Sequence, residues 1–182
     1  MKLNITFIYL FLISGLAVSQ VTSQIPILEK SGKYGFDKIL SIEGKAAKFI
    51  YDSTKLFLIK KHADNSFIID IENQEIYDNG SFPADFMVSN IPMTYTILYN
   101  VTTMFKEGKL KVIITDFKVS TNAQGTTSEV PLENFLKNMN SLKSGKKYAE
   151  KISDSLSNSI IKQVEKLISE FETNLASDKT EW

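Results

Sequence analysis

The residues best suited to acid–base or metal chemistry are a single histidine and a run of acids that follows it. His62 is the only histidine, and the chain contains no cysteine. Because protein zinc sites draw on several His and Cys ligands, the sequence does not support a His-based zinc site. We interpret His62 as a surface residue at the C-terminal end of a helix, where positive charge suits the helix dipole.

Five acids lie on two predicted strands and the turn between them: Asp64, Asp70, Glu72, Glu75 and Asp78. Oxygen ligands of this kind can hold calcium or magnesium, and a carboxylate pair can hydrolyse a glycosidic bond. Their spacing does not match an EF-hand loop, since glycine is missing at the required place. Nothing in the sequence selects one pair as acid and base. We therefore interpret the five acids as a solvated hairpin rim and predict no metal, no cofactor and no catalytic residue.

Two motifs that would support nucleophilic or phosphate chemistry are incomplete. No serine lies in a Gly-x-Ser-x-Gly sequence, which presents the nucleophile of many hydrolases. Ser144-Gly145-Lys146-Lys147 resembles the end of a phosphate-binding loop but lacks its earlier glycine and its final Ser or Thr. The sequence therefore favours a non-enzymatic protein, with a carboxylate-dependent hydrolase left open as an alternative.

Four aromatic residues are candidates for a ligand surface on the exposed face of a sheet: Tyr77, Tyr95, Tyr99 and Phe105. The alternative is that they pack under helices or pair across strands. We favour this alternative, because aromatic residues are common in strands for reasons of packing alone.

The N-terminus has the three parts of a cleavable signal peptide. Lys2 supplies positive charge, residues 5–13 form an apolar run, and Ala17 and Ser19 are small residues at the positions that a signal peptidase reads. The alternative is an uncleaved anchor, but the uncharged run is shorter than the roughly 20 residues that span a bilayer. We predict cleavage after Ser19, export to the periplasm or the medium, and no membrane span in the mature chain.

The charge balance bears on the class of partner. Lys plus Arg and Asp plus Glu both number 21, and every one of those cations is lysine. Arginine is the usual residue for bidentate recognition of phosphate and guanine. Zero net charge, the lack of arginine and the predicted export together argue against nucleic acid as a partner. A protein or a small apolar ligand is the expected partner.

Periodicity along the rest of the chain predicts an α+β order of elements. Asp78-Asn79-Gly80 is interpreted as a turn or bulge, and residues 121–130 as a loop. In chain order, the predicted elements are a strand at Phe36–Glu43, a helix at Lys45–His62, strands at Ser66–Ile71, Glu75–Phe82, Met93–Phe105 and Leu110–Val119, a short helix at Leu132–Met139 and a long helix at Lys147–Leu175.

The clearest hairpin joins the last two predicted strands through Lys106-Glu107-Gly108-Lys109, where glycine suits a positive φ. Alternation along the second strand predicts two faces, one with Leu110, Val112, Ile114 and Asp116, the other with Lys111, Ile113, Thr115 and Phe117. The apolar stripe of the long C-terminal helix favours packing against its own domain, and the alternative is a helix offered to a partner or to a second copy.

The stretch from Phe105 to Phe117, together with Ile42-Glu43-Gly44-Lys45-Ala46 and Asn79-Gly80-Ser81-Phe82, resembles a family of exported bacterial proteins. That family is a domain of unknown function with a fold like that of the TATA-binding protein (TBP). The resemblance covers roughly residues 36–119. It implies a curved antiparallel sheet with helices on one side, and it implies no activity and no DNA binding.

These observations predict one α+β domain with a TBP-like layout, a helix after its first strand and a long C-terminal helix. Its parts are a signal peptide at 1–19, a lead-in segment at 20–35, the TBP-like core at 36–120, and a loop with C-terminal helices at 121–182 that completes the same domain. The expected function is a non-enzymatic binding or interaction domain of the bacterial cell envelope. A carrier of an apolar small molecule or lipid is the first alternative, because a curved sheet that grips a helix can enclose a pocket.

Overall fold

The computed structural model describes residues 24–28, 31–61, 69–71, 75–123, 126–141 and 145–176. The predicted signal peptide, His62, Asp64 and Glu72 lie outside these residues, as does the side chain of Asp70. In chain order, the described elements are β1 (Phe36–Ser41), α1 (Ala47–Lys61), β2 (Ile69–Ile71), β3 (Glu75–Val88), β4 (Ile91–Lys106), β5 (Lys109–Ala123), β6 (Thr126–Pro131), α2 (Leu132–Ser141) and α3 (Lys146–Ala176).

The described strands form one antiparallel sheet in the order β1-β5-β4-β3-β2, with β6 also paired to β5. β1 pairs with residues 109–114 of β5 and β6 pairs with residues 118–123, so the two lie one after the other along the same edge of β5. The sheet is curled into a half-barrel with helices, which confirms the predicted α+β class and curved antiparallel sheet.

Helices cover one face of the sheet, and the core lies between them. Side chains alternate across a strand, so every second residue of each strand points towards the helices. The buried apolar residues of this core include Leu40, Ile76, Val101, Val112 and Phe117 from the strands, and Ile50, Leu58, Leu156, Ile160 and Phe171 from the helices. The side chains between them in the strands, among them Asp37, Tyr77, Thr102 and Lys111, are half-buried or exposed on what we call the open face.

The helix α1 begins against the β4–β5 turn. Gly44 has a φ of 72°, which turns the chain out of β1, and the Glu107 carboxylate accepts a hydrogen bond of 3.0 Å from the backbone N–H of Ala47. An acidic group at a helix N-terminus satisfies one of its free N–H groups and favours the helix dipole. The predicted helix at Lys45–His62 is confirmed within the described residues.

The sequence predicted the β4–β5 turn but did not indicate the β3–β4 turn. The β4–β5 turn lies where it was predicted, and Gly108 has the expected positive φ of 67°. The β3–β4 turn has positive φ at two non-glycine residues, Ser89 (51°) and Asn90 (66°). This is the signature of a type I′ turn, which usually contains glycine. The expected turn or bulge at residues 78–80 is wrong, since these residues pair with 99–101 inside a longer β3.

A β-bulge interrupts β5 at Asp116 and corrects the predicted faces of that strand. Leu98 pairs with Lys118 and Asn100 pairs with Thr115, so two residues of β5 stand opposite Tyr99 alone. Asp116 has a φ of 54°, the conformation of the first residue of such a bulge. The extra residue resets the alternation, so Phe117, rather than Asp116, follows Ile114 into the core.

The segment predicted as a loop at residues 121–130 is largely a hairpin. β5 continues to Ala123, and β6 returns along it with Val119 opposite Val130 and Thr121 opposite Ser128. A strand of Thr, Ser and Glu has little apolar alternation, which is why its sequence indicated a loop. Lys118 and Glu129 are joined by a salt bridge of 3.0 Å across this pair.

The long helix α3 packs inside its own domain. Its buried stripe runs through Ile152, Leu156, Ile160, Val164, Leu167, Phe171 and Leu175. Two of its polar side chains also reach the edge of β3, where Ser159 Oγ donates to the carbonyl of Asp85 at 3.3 Å and Gln163 Nε2 to the carbonyl of Pro83 at 3.5 Å. The helix thereby covers a strand edge that would otherwise be open to another chain.

Candidate functional site

The four aromatic residues suggested as a ligand surface do not share one face of the sheet. Tyr95, Tyr99 and Phe105 lie at odd positions of β4 on the helix-covered side, whereas Tyr77 stands opposite Thr102 on the open face. Tyr99 is 3% exposed and Phe105 is 9% exposed. The structure therefore brings three of the four towards the helices, which is the arrangement that the sequence analysis favoured over a ligand surface.

Tyr99 lies in the centre of the core with acidic neighbours. Its ring packs on Phe82 with centroids 5.2 Å apart. Its cross-strand partner is Gly80, so Asp78 is its diagonal neighbour on the same face. Burial raises the pKa of the Tyr99 phenol far above its ordinary value, and the carboxylates of Asp78 and Glu170 raise that pKa further. The phenol is therefore neutral at any physiological pH.

Asp78 and Glu170 are the two carboxylates that act on Tyr99, and a hydrolytic site would need such a pair. Asp78 is 4% exposed beneath the helices, and Glu170 of α3 forms an ion pair with Lys61 of α1. A glycoside hydrolase needs both carboxylates to flank a substrate in an accessible cavity. Here one carboxylate is sealed in the core and a lysine holds the other, so the geometry serves packing between α1, α3 and the sheet.

Tyr95 belongs to an aromatic cluster near the β3–β4 hairpin. Its ring lies 5.7 Å from that of Phe86 and 5.4 Å from that of Phe135 on α2, measured between centroids. Burial raises the pKa of the Tyr95 phenol, and Tyr148 at the start of α3 adds to the effect. The cluster therefore joins the hairpin to α2 and to the first turn of α3.

Of the five acids of the predicted hairpin rim, the structure describes the side chains of Glu75 and Asp78 alone. The Tyr77 hydroxyl donates a hydrogen bond to the Glu75 carboxylate on the open face, and this bond raises the pKa of Tyr77. Asp78 points to the opposite side of the same strand. Among the described residues, no group of three or more His, Cys, Asp or Glu is placed to hold a metal ion.

A cleft opens where β1 and α3 end, and we call it the β1–α3 cleft. Its volume is about 450 Å³. The residues that line it are Leu40, Ser41, Ile42, Glu43, Lys45, Glu172, Leu175 and Ala176. Leu40 and Leu175 belong to the hydrophobic core, at 4% and 1% exposed, whereas Glu43 and Glu172 are exposed. The cleft thus has an apolar floor and a charged rim.

Sequence reasoning did not identify the cleft, because its walls come from segments about 130 positions apart along the chain. No motif marks these residues, and each side chain fits an ordinary strand end, loop or helix end. Lys45 is the one cation of the cleft wall, and its ammonium lies 4.7 Å from the ring centroid of Phe49. Such a cation–π contact positions the charge at the mouth of the cleft.

The bulge residue Asp116 is the centre of a polar clasp that the sequence also did not reveal. Lys33 Nζ donates to its carboxylate at 2.6 Å, and Asn100 Nδ2 and Thr115 Oγ1 lie at 3.4 and 3.3 Å. The hydrogen bond from Lys33 holds the pKa of Asp116 below its ordinary value of 3.8. The clasp fastens the lead-in segment to β5, and the Glu133 carboxylate on α2 accepts the N–H of Tyr34 beside it.

Comparison with known proteins confirms the fold. No family model and no curated protein matches this sequence. A TBP-like protein from Parabacteroides distasonis superposes with a TM-score of 0.60 at 14% identity, over 82% of this chain and 96% of that one. A DUF4468 family protein from Bacteroides ovatus superposes with a TM-score of 0.64 at 16% identity, over 86% and 94%. The TBP-like fold implied by the sequence resemblance is therefore correct.

At 14% and 16% identity, these two similarities establish the fold and nothing further. As for the bilayer, none of the helices in the described ranges has the length and apolar character needed to cross it.

Proposed function

We propose that this protein is an exported, non-enzymatic binding module of the bacterial cell envelope, and that it binds a small amphipathic molecule in the β1–α3 cleft. The observation that carries the proposal is the shape and lining of that cleft. Ligand sites typically measure about 300–1,000 Å³ and combine apolar walls with a few polar groups. A cleft of about 450 Å³ with Leu40 and Leu175 at its floor and Lys45 at its mouth meets both criteria.

The chemistry of the lining defines the ligand class. Leu40, Ile42 and Leu175 offer aliphatic contacts to an apolar body. Lys45, Glu43 and Glu172 place charges of both signs at the rim, beside the polar end of an amphipathic ligand. A small amphipathic molecule with an aliphatic or aromatic body fits this arrangement.

The export half of the proposal is supported by the sequence pattern at residues 1–19. The non-enzymatic half is supported by the roles of the acidic and phenolic groups. Asp78 and Tyr99 are buried in the core, Glu170 is paired with Lys61, and Asp116 is held by Lys33. Each of these groups contributes to packing or to fastening of the fold.

The test is a titration with anilinonaphthalene sulfonate, a monoanion with an apolar body. Ala176→Trp adds bulk at an exposed position of the cleft wall, and Asn158→Trp adds the same bulk at an exposed position of α3 outside the cleft. We expect the probe to bind the parent chain and Asn158→Trp alike, and to bind Ala176→Trp at least about tenfold more weakly. Equal binding to all three chains would contradict the assignment of the cleft.

The alternative function, a carrier of an apolar molecule, would use the same apolar floor of the cleft. It differs from the binding module in that it would retain its ligand more strongly. Native mass spectrometry of freshly purified protein distinguishes the two functions. A lipid that survives purification and is absent from Ala176→Trp supports a carrier, whereas a ligand-free mass together with reversible probe binding supports the binding module.

A further inference from the structure

The β3–β4 hairpin and the start of α3 carry exposed apolar and basic side chains at one end of the molecule. Met87 is 58% exposed, Ile91 54% and Tyr148 41%. Three exposed lysines lie in the first six residues of α3. We define the hairpin-end surface by these side chains: Met87, Ile91, Lys146, Lys147, Tyr148 and Lys151.

Hydrogen bonds between α3 and β3 set these residues side by side. Ser159 bonds to the carbonyl of Asp85 and Gln163 to that of Pro83, so α3 runs antiparallel to β3. From Ser159 back to Lys151 is about 12 Å along the helix. From Asp85 forward to the turn at Ser89 is about 13 Å along the strand. The first turns of α3 therefore lie level with the tip of the hairpin.

Contacts within the core support the same placement. Tyr148 lies close enough to Tyr95 to influence its phenol, and Tyr95 packs on Phe86 of the hairpin. Met87 and Ile91 lie in the two residue pairs next to the turn and fall on opposite faces of the hairpin, because Met87 pairs with Pro92 and Ile91 with Val88. The end of the hairpin is thus apolar on both sides, with Tyr148 beside it.

The lysines of this surface share the first turns of α3 with two acids, Glu150 and Asp154, so its net charge is small and positive. The first turn of α3 contains no acid, although acids are the residues that suit a helix N-terminus. Lys146 contacts Glu150 at 3.8 Å, and both side chains are exposed. Lysines at the positive end of a helix dipole cost stability. An anionic surface outside the protein would remove that cost.

We propose that the hairpin-end surface docks on an anionic lipid bilayer, with Met87 and Ile91 inserted at the interface and the lysines of α3 over the head groups. An apolar wedge enters the boundary between head groups and acyl chains, while tyrosine and lysine suit its wet side. Lysine is a flexible point charge, which suits a diffuse layer of phosphates better than a fixed bidentate pair.

The experiment measures partition of the full chain onto vesicles of phosphatidylcholine alone and of phosphatidylcholine mixed with phosphatidylglycerol. The charge variant is Lys146→Gln/Lys147→Gln/Lys151→Gln, and the apolar variant is Met87→Ser/Ile91→Ser. The matched control, Leu56→Ser/Ile59→Ser, removes two apolar side chains of similar exposure, 40% and 45%, from α1. All chains share one N-terminus, so any contribution of the apolar run at 5–13 cancels.

The parent and the control are expected to bind the anionic vesicles more tightly than the neutral ones. The charge variant should bind them about 100-fold more weakly, since each lysine near an anionic surface contributes about fivefold. The apolar variant should lose at least about tenfold. Equal partition of all four chains would overturn the proposal. The proposal would also be overturned by a concentration-dependent dimer, or by capture by an acidic protein, if that association were lost in the same variants while their vesicle binding stayed unchanged.

Site-specific labels give a second readout that does not depend on the fold of a multiple variant. The chain has no cysteine, so Ile91→Cys and Ala176→Cys each carry one label of an environment-sensitive fluorophore. On anionic vesicles, the emission of the label at Ile91 should shift to the blue and that at Ala176 should not. A shift at Ala176 alone, or at neither position, would refute docking by the hairpin end.

Discussion

Deletion of Asp116 tests whether the β-bulge is one inserted residue in an otherwise regular β5. Without the extra residue, Phe117 would stand opposite Tyr99 and Val119 opposite Ile97, as they do now, and β5 would pair with β4 as a regular ladder of period two. Both side chains, 0% exposed, would stay in the core. A reversal of the faces would cost about 1.5–3 kcal/mol for each of the two side chains, or about 3–6 kcal/mol together. The deletion should therefore lower the free energy of unfolding by far less than this, within about 1 kcal/mol, a small part of the roughly 5–15 kcal/mol of a typical domain.

The matched control is Asp116→Gly, which keeps the residue count and suits the positive φ of 54°. It removes the clasp to Lys33 but leaves Phe117 and Val119 in the core, so we expect a change within about 1 kcal/mol. Urea unfolding followed by far-ultraviolet circular dichroism measures both variants. A loss of about 3 kcal/mol or more in the deletion, with little change in the glycine variant, would show that the deletion turns Phe117 and Val119 out of the core and would refute the single-residue insertion.

Three further substitutions test local features of the fold. Because the pKa of Asp116 is lowered by Lys33, the clasp stabilises the fold above the ordinary carboxyl pKa of 3.8 and is lost as the pH falls through the lower folded value. Lys33→Gln should flatten that acid limb of a stability–pH curve, and an unchanged limb would contradict the assignment. Ser89→Asn/Asn90→Gly supplies the preferred residues of a type I′ turn and should raise the free energy of unfolding, measured with urea, by about 0.5–1 kcal/mol; a loss would show another turn geometry. Thr54 Oγ1 is buried without a hydrogen-bond partner among the described residues, so Thr54→Val should stabilise by about 1 kcal/mol, and destabilisation would reveal a bond.

Elements with strong apolar periodicity could be predicted from the sequence. The stripe from Ile152 to Leu175 predicted α3 almost to the residue, and Gly108 marked the β4–β5 hairpin. In both cases a local signal and the tertiary structure favour the same conformation. The resemblance in residues 105–117 likewise pointed to the correct fold, because core and turn residues of a hairpin are features of the fold itself.

The features that were missed depend on residues far apart in the chain or on unusual backbone angles. Ser89-Asn90 adopts a turn that normally carries glycine, and β6 is stabilised by its pairing with β5 rather than by its own apolar residues. The bulge at Asp116 requires a positive φ at a residue that gives no such signal in the sequence. Alternation alone cannot show where an extra residue interrupts the strand, so the predicted faces of Asp116 and Phe117 were wrong, whereas those of the residues up to Thr115 were right.

The candidate site could not be predicted from the sequence either, because residue types alone do not locate it. Residue type alone drew attention to Tyr99 and Asp78, which the core uses for packing. The β1–α3 cleft involves ordinary residues such as Ile42 and Leu175 that become a site only through the meeting of β1 and α3. Reactive side chains indicate a functional site only when the fold brings several of them together. The sequence alone does not show which side chains the fold brings together.

The length of α3 connects the two proposed surfaces. Tyr148 lies in its first turn and Leu175 in its last, so the hairpin-end surface and the β1–α3 cleft are about 40 Å apart at opposite ends of the helix. A chain docked by its hairpin end would hold the cleft well clear of the bilayer, beyond the head groups. A carrier that extracts lipid directly from that bilayer needs its mouth at the membrane, so docking and direct extraction exclude each other. Together, the two surfaces favour a ligand that reaches the cleft from the aqueous phase while the protein stays at the membrane.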